Sequence, residues 1–289
     1  MEQEALLSAA RSAFHAGLLE GILTVDEEGI PSNADKGQPL SRAYAAHIAQ
    51  ALRSETIQER AAGQTLGGGF ERAIVAFIQA TFPHFPMLRP GEWQVVNLGN
   101  SRKVNHLAAY EPYTHLGALD AAVKDSPALL AVLGNAYAIA PDIIVSRGAV
   151  ADSEINQERW LVDQAAGNLS AIRLTSPTQP RILHAVISCK WTLRSDRAQN
   201  ARSEALNLVR NRKGRTPHIM VVTGEPTPAR ISSLALGTGD LDCVYHFALP
   251  ELQDAVAAHG NADSNELLDM MIEGQRLKDI ADLPLDLTV

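Results

Sequence analysis

Apolar side chains recur at helical spacing through the first eighty residues. Ala5, Leu6, Ala9, Ala10, Ala13 and Phe14 form one stripe. Tyr44, Ile48 and Leu52 form a second, with Ser41 as the expected N-cap of that helix. A third, Phe70, Ala73, Ile74, Phe77 and Ile78, follows Gly67-Gly68-Gly69 and stops near Phe82-Pro83. Between the first two stripes, Glu28 to Pro39 is rich in Gly, Pro, Asn and Ser and predicts a surface loop. The period then changes. Trp93 to Leu98, Ile143 to Ser146, Ile182 to Lys190, His218 to Thr223 and Asp242 to Phe247 are short apolar or β-branched runs bounded by Pro, Gly or polar clusters, which predicts strands. Ser195 to Arg212 returns to helical spacing and predicts a strand–helix–strand unit. Pro250 to Ala258 and Ser264 to Leu277 predict two closing helices. The expected fold class is α/β: a mixed central β-sheet flanked by helices, one domain over residues 1–289 with an N-terminal helical layer.

Composition narrows the class. The chain has 289 residues, 46% hydrophobic and 20% charged, which suits a globular protein with a sizeable core. No apolar run approaches the length of a membrane span, and the N-terminus lacks a basic start followed by an apolar block, so neither membrane nor secretion is expected. Two cysteines, Cys189 and Cys243, without a CxxC or Cys/His cluster argue against structural zinc and disulfides and fit a cytoplasmic location. Net charge is −8, which argues against a polyanionic partner until its distribution is examined. From Arg173 to Arg215 ten basic residues face two acidic ones, leaving fifteen basic against thirty-one acidic elsewhere. One basic strip on an acidic body can hold a nucleic acid there and repel it elsewhere. A solvated Arg-rich face is the plainer reading of such a run, but this one overlaps the best candidate chemistry.

That chemistry lies in three places. Pro141-Asp142 opens a strand, Ser188-Cys189-Lys190 closes one, and Glu204 follows in the next helix. Phosphodiester hydrolysis requires carboxylates that hold a hard divalent cation and a cationic side chain beside the phosphate. Asp142, Lys190 and Glu204 supply that set. Each has an ordinary reading: a turn acid, a solvated lysine, and an acid paired with Arg197 or Arg202 for ~0.5 kcal/mol. Asp240 and Asp242 are an alternative acidic pair. Arg194-Ser195-Asp196-Arg197 has the donor and acceptor inventory for G·C pairs in a major groove, with Arg to guanine O6 and N7 and Asp to cytosine N4. Ser195 is the expected cap of its helix. The triple glycine lacks the Gly-Lys-Ser/Thr of a phosphate loop and reads as a turn.

Pro-Asp, 47 residues, Lys, 13 residues and Glu, together with the stretch from Ser188 to Glu204, resemble the type II restriction endonucleases that cut around a CCGG core, within the PD-(D/E)XK nuclease superfamily. Ser188 stands where the ordinary nuclease motif has an acid, and in the resembled group the next helix replaces that acid, the part Glu204 takes. The resemblance implies a restriction-endonuclease-like fold and two magnesium ions per active site, bridged by Asp142 with the Cys189 carbonyl as a further ligand. It also places Ser188 and Lys190 at the scissile phosphate and Glu71 as an outer acid. Arg194, Asp196 and Arg197 would contact the CCGG bases, and Gln64 the minor groove. The Cys189 thiol then packs and takes no catalytic part. Double-stranded DNA is the expected partner, with GCCGGC as one candidate site, and a cognate DNA methyltransferase is the expected functional companion. A palindrome calls for a dimer at least, and the resemblance implies a homotetramer. Three rivals stand beside this reading: a DNA-binding regulator without catalysis, a repair or recombination nuclease that reads shape, and a metabolic α/β enzyme.

Overall fold

The short apolar runs pair into one sheet, of seven strands among the described residues. The computed structural model describes residues 4–58, 69–98, 106–133, 139, 141–193, 195–237 and 239–289, apart from the side chains of 54–58, 106, 127, 133 and 195–197. The N-terminal layer is α1 (Leu6–Leu19), α2 (Pro39–Gln58) and α3 (Phe70–Thr81). Then come β1 (Trp93–Asn97), β2 (Tyr110–Glu111), α4 (His115–Lys124), α5 (Pro127–Leu133), β3 (Ile143–Arg147) and α6 (Asp152–Ile155). The strand–helix–strand unit is β4 (Arg181–Lys190), α7 (Ser195–Asn211) and β5 (His218–Thr223). After it come α8 (Pro228–Ala235), β6 (Cys243–His246), α9 (Leu249–His259), α10 (Ala262–Glu273), β7 (Leu277–Asp279) and α11 (Leu283–Asp286).

Strand order is β1-β3-β4-β5-β6-β7, with β2 paired to the first two residues of β4, ahead of β5. β1, β3 and β4 run antiparallel, and β4 through β7 run parallel. The crossover through α7 makes the parallel half possible, because it returns the chain to the end of the sheet where β4 began. Leu183, Ala185, Val186 and Ile187 of β4 are all buried, as a strand covered on both faces requires. In α3, Phe70, Ala73, Ile74, Phe77, Ile78 and Thr81 form the buried stripe. The helix packs on α1 and β1. Each large apolar side chain sealed in this way contributes about 1.5–3 kcal/mol.

Several boundaries differ from the sequence reading, for local reasons. α2 starts at Pro39, a residue suited to the first turn because it has no N–H to leave unpaired. Ser41 is therefore inside the helix and buried, and its hydroxyl accepts from the Asp35 N–H at 2.9 Å. The Glu28 to Pro39 segment is not wholly superficial, since Asn33 is buried and donates from Nδ2 to the Gly224 carbonyl at 2.8 Å. Ser195 is the first residue of α7. Leu277 belongs to a strand: α10 ends at Glu273, and Gln275 at φ 55° turns the chain into β7. β2 and β7 are too short to show a period.

The β3–β4 register breaks once. Val145 pairs with Ala185 but Ser146 with Leu183, so His184 is a surplus residue in β4. Its ring lies near Phe82, Trp93 and His218. Its Nε2 donates to the Leu287 carbonyl at 2.7 Å, and its Nδ1 accepts from Arg215 at 3.1 Å.

Candidate active site

Asp142 immediately precedes β3, and its carbonyl accepts from the Leu98 N–H at 2.9 Å, which continues the β1–β3 pairing by one step. Its side chain turns toward the end of β4. Oδ2 accepts from the Cys189 backbone N–H at 2.6 Å and from Lys190 Nζ at 3.1 Å. The lysine and aspartate side chains are 17% and 24% exposed, so the pair is screened from bulk water yet open to a ligand.

Ser188 and Lys190 lie two apart in β4 and so share a face. Ser188 lines a cavity with Ala201, Glu204, Ala205 and Leu208, which places that face under α7. Ala198, Ala201, Ala205 and Leu208 are the buried stripe of the helix. That stripe turns toward the cavity, and Glu204 reaches the Ser188 hydroxyl, which donates to Oε2 at 3.1 Å. Burial holds the Glu204 carboxyl above its ordinary range. Lys190 and the serine hydrogen bond pull it back, and Asp142 adds to the rise. Two carboxylates thus share one nearby ammonium.

Cys189 faces the other way, toward α3. Burial pushes its thiol up, and the carboxylates of Asp142 and Glu71 push it further, so the thiol stays protonated and unreactive. Glu71 occupies the first turn of α3, just after Gly69, whose φ of 88° suits glycine. A Cβ at Gly69 would stand 3.2 Å from Glu71 Oε2, so the turn also leaves that carboxylate its room.

The structure therefore brings Asp142, Ser188, Lys190 and Glu204 together, with Glu71 behind Cys189. Gln64 and Arg194 fall outside the described residues. Asp196 and Arg197 sit in the first turn of α7, with side chains outside the described set. Asp242, part of the alternative acidic pair, accepts from the Ile219 N–H at 2.7 Å. Ile219 pairs with Val186, about 13 Å along the strand from Lys190.

The basic strip is not continuous. Arg173 is buried, with Nε and Nη2 each 2.7 Å from an Asp152 oxygen. Arg181 bonds Glu92 and Ser146 at the far end of β4, and Arg215 bonds His184. These three anchor loops and the sheet, so the local charge balance overstates what is free for phosphate.

Sequence reasoning passed over Glu225. It is fully buried two residues beyond β5, and its oxygens accept from the Leu193 N–H at 2.8 Å and the Thr227 N–H at 3.2 Å. Gly224-Glu225-Pro226 reads as a turn, and an acid in a turn gives no signal of contacts made to a segment thirty-two positions earlier.

Among the described residues, no three His, Cys, Asp or Glu side chains form a ready metal cage, and no helix is long and apolar enough to cross a membrane. Comparison with known proteins assigns this chain to the type II restriction enzymes. The family model described as NgoMIV restriction enzyme matches residues 14–289. The type II restriction enzyme NgoMIV of Neisseria gonorrhoeae is 51% identical over 285 residues, covering 98% of this chain and 99% of that protein. The chain belongs to the NgoMIV restriction enzyme family. Among solved structures, a complex of restriction endonuclease PspGI with substrate DNA matches at 15% identity and a TM-score of 0.30, over 98% of this chain and 90% of that one. An overlap that shallow does not define a fold.

Proposed function

We propose that this type II restriction endonuclease hydrolyses both strands of duplex DNA at a palindrome with a CCGG core, GCCGGC in full, using magnesium. The observation that carries the reading is the meeting of Asp142, Lys190, Ser188 and Glu204 at one end of β4, with Asp142 Oδ2 3.1 Å from Lys190 Nζ. Water attacks phosphorus and the bond to the 3′ oxygen breaks. That oxygen gains a proton and leaves as the 3′-hydroxyl, while the phosphate stays on the 5′ end.

The donor set fits magnesium. Asp142 and Glu204 offer hard oxygens, and burial, with Asp142 adding to it, holds the Glu204 carboxyl above its ordinary range, so a cation between the two would favour its charged form. Magnesium takes one or two carboxylates and fills its remaining positions with water and substrate phosphate, so a full protein cage is not required. Asp142, Glu204 and the Cys189 carbonyl would hold it, with two ions per site. When bound, magnesium lowers the pKa of coordinated water and offsets charge on the phosphate. Lys190 stabilises the same developing charge, Ser188 contacts the scissile phosphate, and Glu71 tunes the site from outside.

Arg194, Asp196 and Arg197, just beyond Lys190 in sequence, read the G·C pairs, and Gln64 contacts the minor groove. A two-fold palindrome requires two copies, and the tetramer is two such dimers. A cognate methyltransferase protects the host in the cytoplasm. The test is digestion of a sequenced phage DNA with magnesium and with chelator, alongside Asp142→Asn. Discrete bands mapping to GCCGGC, seen only with metal and lost in a variant that still binds the site, are expected. Normal cutting by Asp142→Asn would overturn the site assignment.

A further inference from the structure

Three residues, Trp191, Thr192 and Leu193, separate the cutting lysine from Arg194, and both ends of that segment are tied to the end of β5. The Lys190 carbonyl accepts from the Gly224 N–H at 3.1 Å and from the Thr223 hydroxyl at 2.8 Å. The same hydroxyl accepts from the Glu225 N–H at 3.1 Å, so its donor and acceptor capacity are both used. At the other end, the Leu193 N–H donates to Glu225 Oε2 at 2.8 Å. Between them, the Trp191 ring lies 4.9 Å from Phe70 and 5.4 Å from Phe247, and its Nε1 donates to Ser32 Oγ at 3.2 Å. The ring closes against Gly224, where a Cβ would stand 2.5 Å from Trp191 Cε3.

We infer that Glu225 is a positioning residue, which holds the segment between Lys190 and Arg194 so that base reading at the start of α7 stays in register with cutting at the end of β4. The inference rests on the DNA-reading role proposed for Arg194, Asp196 and Arg197. A fully buried carboxylate is an expensive way to fill space, since a well-packed apolar residue of similar volume often serves stability as well or better. Here both oxygens are used: Oε2 takes Leu193, Oε1 takes Thr227 at the start of α8, and Arg230 Nη1 stands 3.7 Å from Oε2. Arg230 in turn pairs with Asp35, which ties the clamp to the loop before α2. The carboxylate thus fixes two backbone positions on two elements at once. Displacement of a reacting group by about 1 Å can cost 10²-fold in rate, so such a tether bears directly on turnover.

The test uses full-length Glu225→Gln and Glu225→Ala, thermal denaturation, and single-turnover cleavage of a cognate duplex and one with a single base pair changed. Glutamine keeps the volume but turns an NH2 toward one of the two N–H donors, so one tether is lost. Glu225→Gln is expected to stay folded, to cut the cognate duplex about tenfold more slowly or worse, and to lose a similar factor in the cognate-to-altered ratio. Wild-type rate and ratio in folded Glu225→Gln and Glu225→Ala would overturn the inference. Should both variants fail to fold, Gly224→Ala strikes the same clamp through Trp191. A lower ratio there supports the inference, and an unchanged one overturns it. Arg197→Ala, run in parallel, separates the two ideas: undiminished discrimination in that variant refutes the reading assignment whatever Glu225 does.

Discussion

Burial disfavours the charged form of Glu204, so the role proposed for it runs against stability at one side chain. Its folded pKa lies above the ordinary 4.5, chiefly through burial. Protonation therefore favours the native state. The favourable contribution is complete below the unfolded pKa and is lost as pH rises through the folded one. At pH 7 the wild-type protein without metal carries that cost. Glu204→Gln, which keeps an oxygen for the Ser188 hydroxyl, is expected to melt higher than wild type at pH 7 while losing cleavage. The difference should shrink when melting is repeated at pH 4. That Asp142, Lys190 and Glu204 would meet was legible in the sequence through the spacing of the resembled motif, although each alone has an ordinary reading; the catalytic part given to them is the proposal made above. Glu225 was not legible, since its meaning lies in the backbone N–H groups it reaches and a sequence shows no such partner.

At the scale of elements, long periodic stretches were readable and short ones were not. α3 announces itself by a stripe that the structure buries almost without exception. It also holds Glu71 at its first turn and Phe70 against Trp191, so its packing supports the site. Ile74 is fully buried in that stripe. Ile74→Ala is expected to cost about 2–5 kcal/mol, read as a lower urea midpoint with little change in slope. The five predicted strands are present because apolar runs bounded by breakers leave few alternatives. β7 was hidden because three residues show no period, and its first residue, Leu277, completed an apparent helical stripe. The start of α2 was misread because two residues competed for the role: proline at the first turn prevailed over serine as a cap, and the serine hydroxyl serves the loop before the helix.

At the scale of the whole molecule, three buried histidines make the fold sensitive to acid. Burial lowers His184 to about 3 and His246 to about 4, and it lowers His15 as well. In His184 one ring nitrogen donates to a carbonyl and the other accepts from Arg215, so a second proton has no place to go. His246 is held in the same way between the Glu225 carbonyl and the Ala248 N–H. Because their folded pKa values are depressed, the stability they supply is present above about pH 6.5 and lost as pH falls toward those values. Urea unfolding from pH 7 to pH 4 should show stability falling by roughly 3 kcal/mol for each of His184 and His246. Net charge of −8 says little about DNA at this scale, because several arginines of the basic stretch are spent on the fold. The surplus residue in β4 has a wider consequence. Freed from the ladder, its imidazole becomes a rivet: it fastens the middle of the strand to the chain's last turn through the Leu287 carbonyl and to Arg215 before β5, so three segments distant in sequence meet at one ring.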